Sequence, residues 1–384
     1  MVKKRSGSQL FRILNRLGFF IRLLFFFNVL LALFTFAGYV SIHISPAKWW
    51  FAGFFTLSIP VSIVLHSLLF LIWFARGRSR KMLVSFVVLL AGFPLLQRTF
   101  TVHNIEKIPP ETKTFEVMSY NARLFNRAAF YEKKSRKEAD EIINWTARHP
   151  AEIKCVQEFF NLDKSSVLNA LDKLTYDVSY QYFITSKTDV LRAEKGYLGI
   201  AIFSKFPIIK TGEIIFERRS VNKGIFADVK IKDDTLRIFN IHLASNHINP
   251  DSLLDDTDSE ELKREYKNAF ERLKKAFSAR GKQVALIEQA IMESPHPVIL
   301  CGDFNDTPYS YAYQHIRKYL NNAFEEKGNG FGFTHQSKFF FLRIDNQFYD
   351  QTLNIHTFKT HDEVKFSDHF PVTARYSLAD KVTK

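Results

Sequence analysis

The sequence predicts an α/β protein in two parts: a group of N-terminal transmembrane helices, then a soluble domain that mixes strands and helices. Two observations predict this division. The first 103 residues carry 12 Lys or Arg and no Asp or Glu, so all 39 acidic residues and the other 41 basic residues lie beyond them. In the later part, short apolar runs of strand length alternate with amphipathic segments of helical period, which is typical of an α/β fold.

Three apolar runs within residues 1–103 predict transmembrane helices, at 17–44, 49–74 and 82–98. The first two exceed the roughly 20 residues that a bilayer core of ~30 Å requires. The third run is shorter and is the weakest of the three. A cleaved signal peptide is the alternative for the first run, but its length and the two runs that follow favour retained helices.

The basic residues predict how these helices are oriented. Five precede the first run and four lie between the second and third, whereas the connection 41–48 contains one. The positive-inside rule therefore places the N-terminus in the cytoplasm. With three crossings, the soluble domain that follows the linker 104–113 lies outside the cytoplasm, and with two crossings it lies inside. We expect a multi-pass protein of the cell membrane with three crossings.

Of the formal net charge of +14, residues 1–103 carry +12 and the residues beyond them, which include the predicted domain 114–384, carry only +2. Binding of nucleic acid usually requires a basic patch, so near neutrality argues mildly against it, although a local patch would escape such a count. Cys155 and Cys301 lie in apolar runs and are expected to be small core residues, paired only if their strands are neighbours.

Residues 298–311, with the sequence VILCGDFNDTPYSY, are the most informative stretch of the soluble domain. Val298 to Cys301 predicts a buried strand, and we expect Gly302 to let the backbone turn so that Asp303 and Asn305 emerge together at its end. A carboxylate beside an amide suits a site that activates water and holds a phosphoryl oxygen. A turn rich in Asp and Asn, without catalytic role, is the alternative for this motif taken alone.

Other predicted strands also end in polar residues. Asn121 follows strand 115–120, Glu158 follows strand 153–156, and the second strand of a hairpin at 226–231 and 236–243 places Asn240 and His242 on one face, with Asn246 just beyond. Asp345 follows another apolar run, and the adjacent Asp368 and His369 are expected to point in different directions. Taken singly, a solvated carboxylate, a core histidine or a turn-forming Asn explains each of them. Asp345 is placed to pair with an imidazole and fix its tautomer.

Two soluble helices are predicted, at 132–148 and 259–292. In the second, large apolar residues recur at spacings of three and four from Leu262 to Phe277, which indicates one apolar stripe of an amphipathic helix. The stripe predicts a helix laid over the sheet. The alternative is a basic, aromatic rim beside the pocket or against lipid head groups.

The polar segments, taken in order along the chain, resemble the endonuclease/exonuclease/phosphatase family over about residues 114–377. The segments are Asn121, Gln157-Glu158, His242, Gly302-Asp303-Phe304-Asn305, Arg343-Ile344-Asp345 and Ser367-Asp368-His369. The resemblance is to a membrane-anchored bacterial type with the deoxyribonuclease I-like fold. It implies a four-layered α/β sandwich, in which two mixed sheets pack face to face between outer helices and polar residues converge at one edge.

The resemblance also implies a role for each residue. Glu158 would be the principal Mg²⁺ ligand, with Asn121 beside it and Asp368 in support. Asp303 would orient or deprotonate the attacking water, and Asn305 would steady the reacting phosphorus. His242 and His369 would hold phosphoryl oxygens, with Asp345 paired to His369, and Asn240 and Asn246 would contact the substrate. A site with few carboxylates suits Mg²⁺, with Mn²⁺ as the alternative, whereas Zn²⁺ would require more His or Cys. The chain departs from the family pattern at Ile241 and Asn346, which leaves the substrate's shape open.

The sequence therefore predicts a membrane-anchored, Mg²⁺-dependent hydrolase that acts on a phosphodiester, in nucleic acid or in a phospholipid. One alternative is a non-enzymatic membrane protein whose domain binds a phosphorylated partner, but a pure binder needs no water-activating group beside a metal ligand. A transporter with an appended domain is disfavoured because the apolar runs contain little polar chemistry. The expected partners are the membrane and the phosphodiester substrate, and the sequence identifies no protein partner.

Overall fold

The computed structural model describes residues 5–77, 79–104, 107–132, 136–175, 180–193, 195–217, 220, 222–246, 259–336 and 341–378. Within this part of the chain, three long N-terminal helices precede an α/β domain. These helices are α1 (Arg5–Ser41), α2 (Ala52–Ala75) and α3 (Ser79–Leu96). The predicted first and second runs extended a few residues into the connection between α1 and α2, which is a series of turns around Pro46 instead.

Two of the described helices are long and apolar enough to cross a membrane, namely Gly18–Ser41 within α1 and the whole of α2. The third predicted run also forms a helix, but α3 is the shortest of the three at 18 residues.

Contacts at both ends place α3 alongside α1 and α2. Near its start, the Lys81 ammonium lies 5.2 Å from the centre of the Phe25 ring, and near its end Leu95 packs with Ile42 and Ile59. Between these points, Ser85 Oγ donates to Asn28 Oδ1 at 2.9 Å and lies 3.2 Å from Nδ1 of His66. His66 of α2 also lies 3.3 Å from Oγ1 of Thr35 in α1, so its ring links the three helices.

The soluble domain contains two six-stranded mixed sheets. Their strands are β1 (Phe115–Asn121), β2 (Ile153–Leu162), β3 (Tyr182–Leu191), β4 (Gly196–Ser204), β5 (Ile208–Ile214), β6 (Lys223–Ile231), β7 (Asp234–His242), β8 (Val298–Asp303), β9 (Asn321–Asn322), β12 (Asp345–Tyr349), β13 (Leu353–Thr360) and β14 (Val372–Leu378). Sheet one has the order β13-β14-β1-β2-β4-β3, and sheet two has the order β5-β6-β7-β8-β12-β9. A small ribbon pairs β10 (His335–Gln336) with β11 (Phe341–Leu342). In each six-stranded sheet a central pair is parallel, β1 with β2 and β7 with β8.

Helices cover the outer faces of both sheets. The described ones are α4 (Arg127–Tyr131), α5 (Arg136–Arg148), α6 (Ala170–Thr175), α7 (Ser259–Met292), α8 (Tyr311–Ile316) and α9 (Ala323–Lys327). The apolar side of α5, including Ile142, packs on sheet one, and the C-terminal half of α7, including Val284 and Ile287, packs on sheet two. The predicted helix 259–292 is therefore laid over the sheet along that half.

The inner faces of the two sheets form the main core. Alternate residues of the central strands, such as Val117 and Cys155 of sheet one and Ile238 and Cys301 of sheet two, are fully buried against one another. Both cysteines are free thiols. Successive side chains of a strand point to opposite faces of its sheet. One face of each sheet is therefore buried against the other sheet, and the opposite face is covered by helices. This arrangement confirms the predicted four-layered α/β sandwich.

Candidate active site

Polar side chains from both sheets meet at one edge of the sandwich. Pairing places His242, the last residue of β7, opposite Asp303, the last residue of β8, and places Asp345 of β12 opposite Asp303 on the other side. In sheet one, Asn121 ends β1 opposite Gln157 of β2. The carboxyl ends of the two parallel pairs therefore deliver these side chains into one cleft, which is where open α/β sheets usually bind ligands.

Asp303 lies at the centre of the cleft and is almost fully buried. Its Oδ1 accepts a hydrogen bond from the backbone N–H of Asn305 at 2.7 Å. Its Oδ2 accepts from the side-chain amides of Asn121 at 3.0 Å and of Asn305 at 3.2 Å. Hydrogen bonds of this kind favour a carboxylate in its charged form, so they offset part of the cost of its burial.

The backbone at this motif differs from the prediction. Strand β8 does not turn at Gly302 but continues through Asp303, and the turn comes at Asn305, whose φ of 51° is left-handed. A glycine is needed at 302 for close approach, because an added Cβ would lie 2.0 Å from the carbonyl oxygen of Ile241 on the neighbouring strand. Asn305 thus returns its amide to Asp303 through a turn and not through strand alternation.

His369 and Asp345 form a buried pair beside Asp303. Nδ1 of His369 lies 2.9 Å from Oδ2 of Asp345, and its Nε2 lies 3.9 Å from Oδ2 of Asp303. Burial opposes a charged imidazole, but the Asp345 and Asp303 carboxylates outweigh it and raise the pKa of His369 to about 10. The cleft therefore contains an imidazole whose tautomer is fixed by Asp345 and whose Nε2 faces the water-activating candidate.

Glu158 reaches the same cleft through an irregularity of its strand. The register of β2 against β4 shifts between Val156 and Phe159, and Glu158 has a left-handed φ of 47°. A bulge of this kind re-aims a side chain. Oε1 of Glu158 accepts a hydrogen bond from the Asn121 amide at 3.2 Å and lies 3.8 Å from Nε2 of His242.

The donor set fits a hard divalent cation. Carboxylate oxygens of Glu158 and Asp303 converge on one side-chain amide, and Nε2 of His242 is buried without a hydrogen-bond partner 3.6 Å from Asp303. Oxygen-rich sites with few carboxylates suit Mg²⁺. Ligand atoms of Asp303, Asp345 and His369 also lie within 4.8 Å of one another. In that second group, however, Oδ2 of Asp345 and Nδ1 of His369 form a hydrogen bond with each other. The group therefore offers a cation fewer free ligand atoms.

Two of the predicted metal ligands have other contacts. The amide nitrogen of Asn121 faces the carboxylates, while its Oδ1 accepts from the backbone N–H of Arg123 at 3.0 Å. As oriented, Asn121 therefore presents a donor to the cleft and no ligand oxygen. The carboxylate of Asp368 is about one-third exposed and lies 3.5 Å from Nε of Arg123. The predicted divergence of Asp368 and His369 is present, since His369 points into the buried cleft.

The two predicted substrate-binding residues are placed differently. Asn240 is fully buried and uses its whole amide within the core: it donates to the carbonyls of Val156 and Ala201 and accepts from Gln157 at 2.6 Å. It joins the two sheets and is inaccessible to a substrate, so this part of the prediction is wrong. Asn246 lies beside the site, with its amide 3.5 Å from the carbonyl of Asn305.

The sequence did not single out Arg280 of α7, which organises the rim of the cleft. Its buried guanidinium donates to the Ala244 carbonyl and to Oδ1 of Asn246 in the loop after β7, and to Oδ2 of Asp306 in the loop after β8. One side chain thus holds both loops that follow the catalytic strands. Its only signal in the sequence is a basic residue within the apolar half of an amphipathic helix.

His335 was also missed. Its ring meets that of His369 edge-on, with centroids 4.9 Å apart, and burial together with His369 lowers the pKa of His335. It lies in the short strand β10, which is too brief to show any periodicity.

Two family models match parts of the chain. The model of the endonuclease/exonuclease/phosphatase family matches residues 118–369, and a model of a domain of unknown function matches residues 21–99. No curated protein matches the chain.

Solved structures of low sequence identity are similar to this chain. An endonuclease/exonuclease/phosphatase family protein from Bacteroides thetaiotaomicron is 18% identical, with 70% of this chain and 99% of that chain covered and a TM-score of 0.50. The catalytic domain of human Nocturnin is 17% identical, with 71% and 100% covered and a TM-score of 0.49. A mannosyl-6-phosphatase from Bacteroides thetaiotaomicron is 18% identical, with 69% and 100% covered and a TM-score of 0.49.

Proposed function

The chain belongs to the endonuclease/exonuclease/phosphatase family of phosphoester hydrolases, and we propose that it is a membrane-anchored, Mg²⁺-dependent enzyme that hydrolyses a phosphodiester. The observation that carries the proposal is the convergence of Glu158, Asp303 and His369 on one cleft, joined through hydrogen bonds of Asn121 and contacts below 4 Å. Such a cleft contains a candidate base, a candidate phosphoryl-oxygen donor and a cation ligand. A protein that only bound a phosphorylated partner would not need all three.

In the proposed reaction, a water oxygen adds to phosphorus, one ester P–O bond breaks, and the alcohol leaves with a proton. Asp303 orients this water and accepts its proton, because its carboxylate is held rigidly by three hydrogen bonds. His369 donates from Nε2 to a phosphoryl oxygen while Asp345 holds its Nδ1. The amide of Asn305 steadies the reacting phosphorus, and His242 contacts a second phosphoryl oxygen.

Glu158 would hold the cation, since its carboxylate is the most exposed of those in the cleft, at one-third accessible. When bound, Mg²⁺ neutralises charge that develops on the phosphoryl oxygens. The contribution of this chain's own residues is to hold the cation at Glu158 and to keep bulk water away from the buried Asp303 and His369.

The test of the proposed function uses the full chain purified in detergent and bis-p-nitrophenyl phosphate with Mg²⁺. We expect turnover by the unaltered protein and a loss on the order of 10²-fold or more in both Asp303→Ala and His369→Ala. Asp189→Ala is the matched control, because Asp189 is an exposed residue of the edge strand β3. Equal rates in all four proteins would refute the assignment.

We also propose that the membrane part crosses three times and that the catalytic domain lies outside the cytoplasm. The part of α1 from Phe25 to its end at Ser41, against which α3 lies, is ~24 Å long at 1.5 Å per residue, close to the bilayer core. The basic residues before α1 and between α2 and α3 then face the cytoplasm.

Fusions of alkaline phosphatase, which is active only outside the cytoplasm, test this topology. A fusion after Lys384 should be active, and a matched fusion after Gly77, between α2 and α3, should be silent. The reverse pattern, or activity in neither, would place the domain inside.

A further inference from the structure

A groove of about 700 Å³ lies beside the catalytic cleft. We call it the Phe331 groove, and define it by four aromatic residues and two lysines of its lining: Phe331, Phe333, Phe358, Phe370, Lys359 and Lys365. Its volume is within the range of small-molecule binding sites. Asp362 also lines it, and Lys359 is paired with Glu363 at 2.9 Å, so the lining is mainly aromatic with Lys365 as a further cation. Such a lining suits a ligand with a large apolar part and one anionic group.

One end of the groove lies against the segment that carries His369. Phe370, which lines it, follows His369 directly, and its backbone N–H donates to the carbonyl of Thr334 at 2.7 Å. Gln336, also in the lining, donates its backbone N–H to the carbonyl of Asp368 at 2.9 Å. The segment that presents His369 to the cleft therefore also forms a wall of the Phe331 groove.

The other end is continuous with the membrane helices. The ring of Phe331 lies 5.0 Å from that of Phe100, four residues beyond the end of α3, and Thr101 and Gly330 exchange two backbone hydrogen bonds of 3.0 and 2.8 Å. Phe331, Phe100 and Val102 are 54%, 47% and 75% exposed. Exposed aromatic residues beside a helix end are typical of the membrane–water interface.

The catalytic domain is fixed on these helices. Tyr309, four residues after Asn305, packs with Ile42, one residue beyond α1, with Ile59 of α2 and with Leu95 of α3. Nη1 of Arg98 donates to the Pro308 carbonyl in the same loop at 3.2 Å. The four residues that separate Tyr309 from Asn305 span at most ~14 Å, so Asn305 lies within that distance of the membrane helices. The polar layer of a bilayer adds ~5–8 Å on each side of the hydrocarbon core, and the site therefore lies near this layer.

We propose that the substrate is a membrane phospholipid, taken from the bilayer that holds the protein, with its apolar part in the Phe331 groove and its phosphodiester at His369. This inference rests on the proposed phosphodiesterase activity and names its substrate class. The reaction consumes one water, breaks one ester P–O bond and releases a phosphate monoester and an alcohol. Nucleic acid is disfavoured because the soluble domain is nearly neutral and an anionic bilayer surface adjoins the cleft.

The test reconstitutes the full chain into vesicles of phosphatidylethanolamine and phosphatidylglycerol, with Mg²⁺ on both faces. A cleft fixed at the surface should hydrolyse lipid of its own vesicles, measured as release of phosphate monoester or diacylglycerol, and should not hydrolyse labelled lipid supplied in separate vesicles. Asp303→Ala should abolish the release. A short-chain phospholipid with the same head group, kept monomeric, should react at least tenfold more slowly than the bilayer lipid.

A pair of variants tests the groove. Phe331→Ser should lower the ratio of bilayer-lipid turnover to bis-p-nitrophenyl phosphate turnover at least fivefold. Phe183→Ser is the matched control, because Phe183 is an exposed aromatic residue, 43% accessible, on the edge strand β3. It should leave the ratio unchanged.

The outcomes separate the two proposals. Turnover of bis-p-nitrophenyl phosphate that depends on Asp303, without lipid hydrolysis, would overturn the lipid substrate and leave the phosphodiesterase standing. An oligonucleotide hydrolysed faster than bilayer lipid, or equal hydrolysis of lipid in separate vesicles, would overturn it as well. Absence of Asp303-dependent turnover on every substrate would overturn both.

Discussion

Nδ1 of His369 lies 2.9 Å from Oδ2 of Asp345, and both side chains are almost completely buried. Asp345 begins β12 of sheet two, whereas His369 lies three residues before the start of β14 of sheet one. The pair therefore links the two sheets at the edge where the catalytic cleft opens. Its carboxylate also fixes which nitrogen of the imidazole faces Asp303.

Asp345→Asn should therefore impair catalysis more than folding. The amide keeps the shape of the carboxylate but removes the charge that orients His369, and we expect kcat on bis-p-nitrophenyl phosphate to fall on the order of 10²-fold. The thermal unfolding midpoint should fall less than after loss of a carboxylate that faces an arginine, because His369 can release its proton when Asp345 becomes an amide.

Asp228→Asn is the matched control for this variant. Asp228 accepts two hydrogen bonds from Arg237, at 2.7 and 2.8 Å, in a buried pair near the other end of β7. Its replacement should lower the unfolding midpoint and leave kcat of the folded protein unchanged. A kcat loss of the same size in both variants would mean that Asp345 contributes only to stability.

Glu158→Gln should raise the Mg²⁺ concentration that gives half-maximal activity. Chelation of divalent ions should first abolish the activity of the unaltered protein, and added Mg²⁺ should restore it. The amide oxygen is a weaker ligand than a carboxylate, so we expect the half-maximal concentration to rise at least tenfold. Glu152→Gln, just before the start of the same strand, is the control. An identical Mg²⁺ dependence in all three proteins would exclude Glu158 as a ligand.

The central strands could be predicted because they are continuous apolar runs. Val298 to Cys301 and Phe115 to Tyr120 lie between layers and are buried on both faces. The edge strand β5 was not predicted, since Ile208–Ile214 is largely exposed and mixes polar with apolar residues. Edge strands lack a buried face of their own, so their sequences carry little signal.

The sequence predicted which face of a strand each site residue lies on better than how far the residue lies from the open edge of the sheet. Strand alternation placed Asn240 and His242 on one face, and both do belong to the same side of β7. Depth separates them: His242 ends the strand and reaches the cleft, while Asn240, two residues earlier, is sealed between the sheets. Periodicity gives the face of a residue but not its distance from the sheet edge, which depends on how the two sheets are stacked.

Gly302→Ala should be strongly destabilising. An added Cβ would lie 2.0 Å from the Ile241 carbonyl oxygen, so β7 would have to move away from β8 and carry His242 with it. We expect a loss of about 3 kcal/mol in the free energy of unfolding together with loss of activity. Thermal and denaturant unfolding of the purified chain measure the first quantity.

Gly330→Ala measures the cost of a positive φ without a clash, whereas Gly302, with a φ of 152°, has both. Gly330 has a φ of 73°, and an added Cβ there would meet no atom within 4 Å. It should lose only about 1 kcal/mol, the cost of a left-handed conformation. If the two variants were equally stable, close approach of β7 and β8 would not be the reason for a glycine at 302.

Lys154 should make stability rise with pH between about 6 and 10. Its fully buried amine donates to the carbonyls of Thr146 and Ala147, at the end of α5, and lies over the Tyr180 ring. Burial, with a smaller contribution from Lys205, lowers the pKa of Lys154 to about 6. Between that value and the ordinary pKa of ~10.4 the unfolded chain binds one proton more than the folded chain, so raising the pH favours folding.

Lys154→Met isolates this effect, because methionine has a similar length and no proton to bind. We expect the thermal unfolding midpoint of the unaltered chain, measured relative to that of the variant, to be higher at pH 9 than at pH 6.5. At the higher pH the buried amine is neutral, so the cost of burying its charge disappears. The variant itself should be less stable at pH 9, where two helix-end carbonyls lose their donor. A difference between the two midpoints that stays constant across this range would show that Lys154 is protonated in the folded protein throughout.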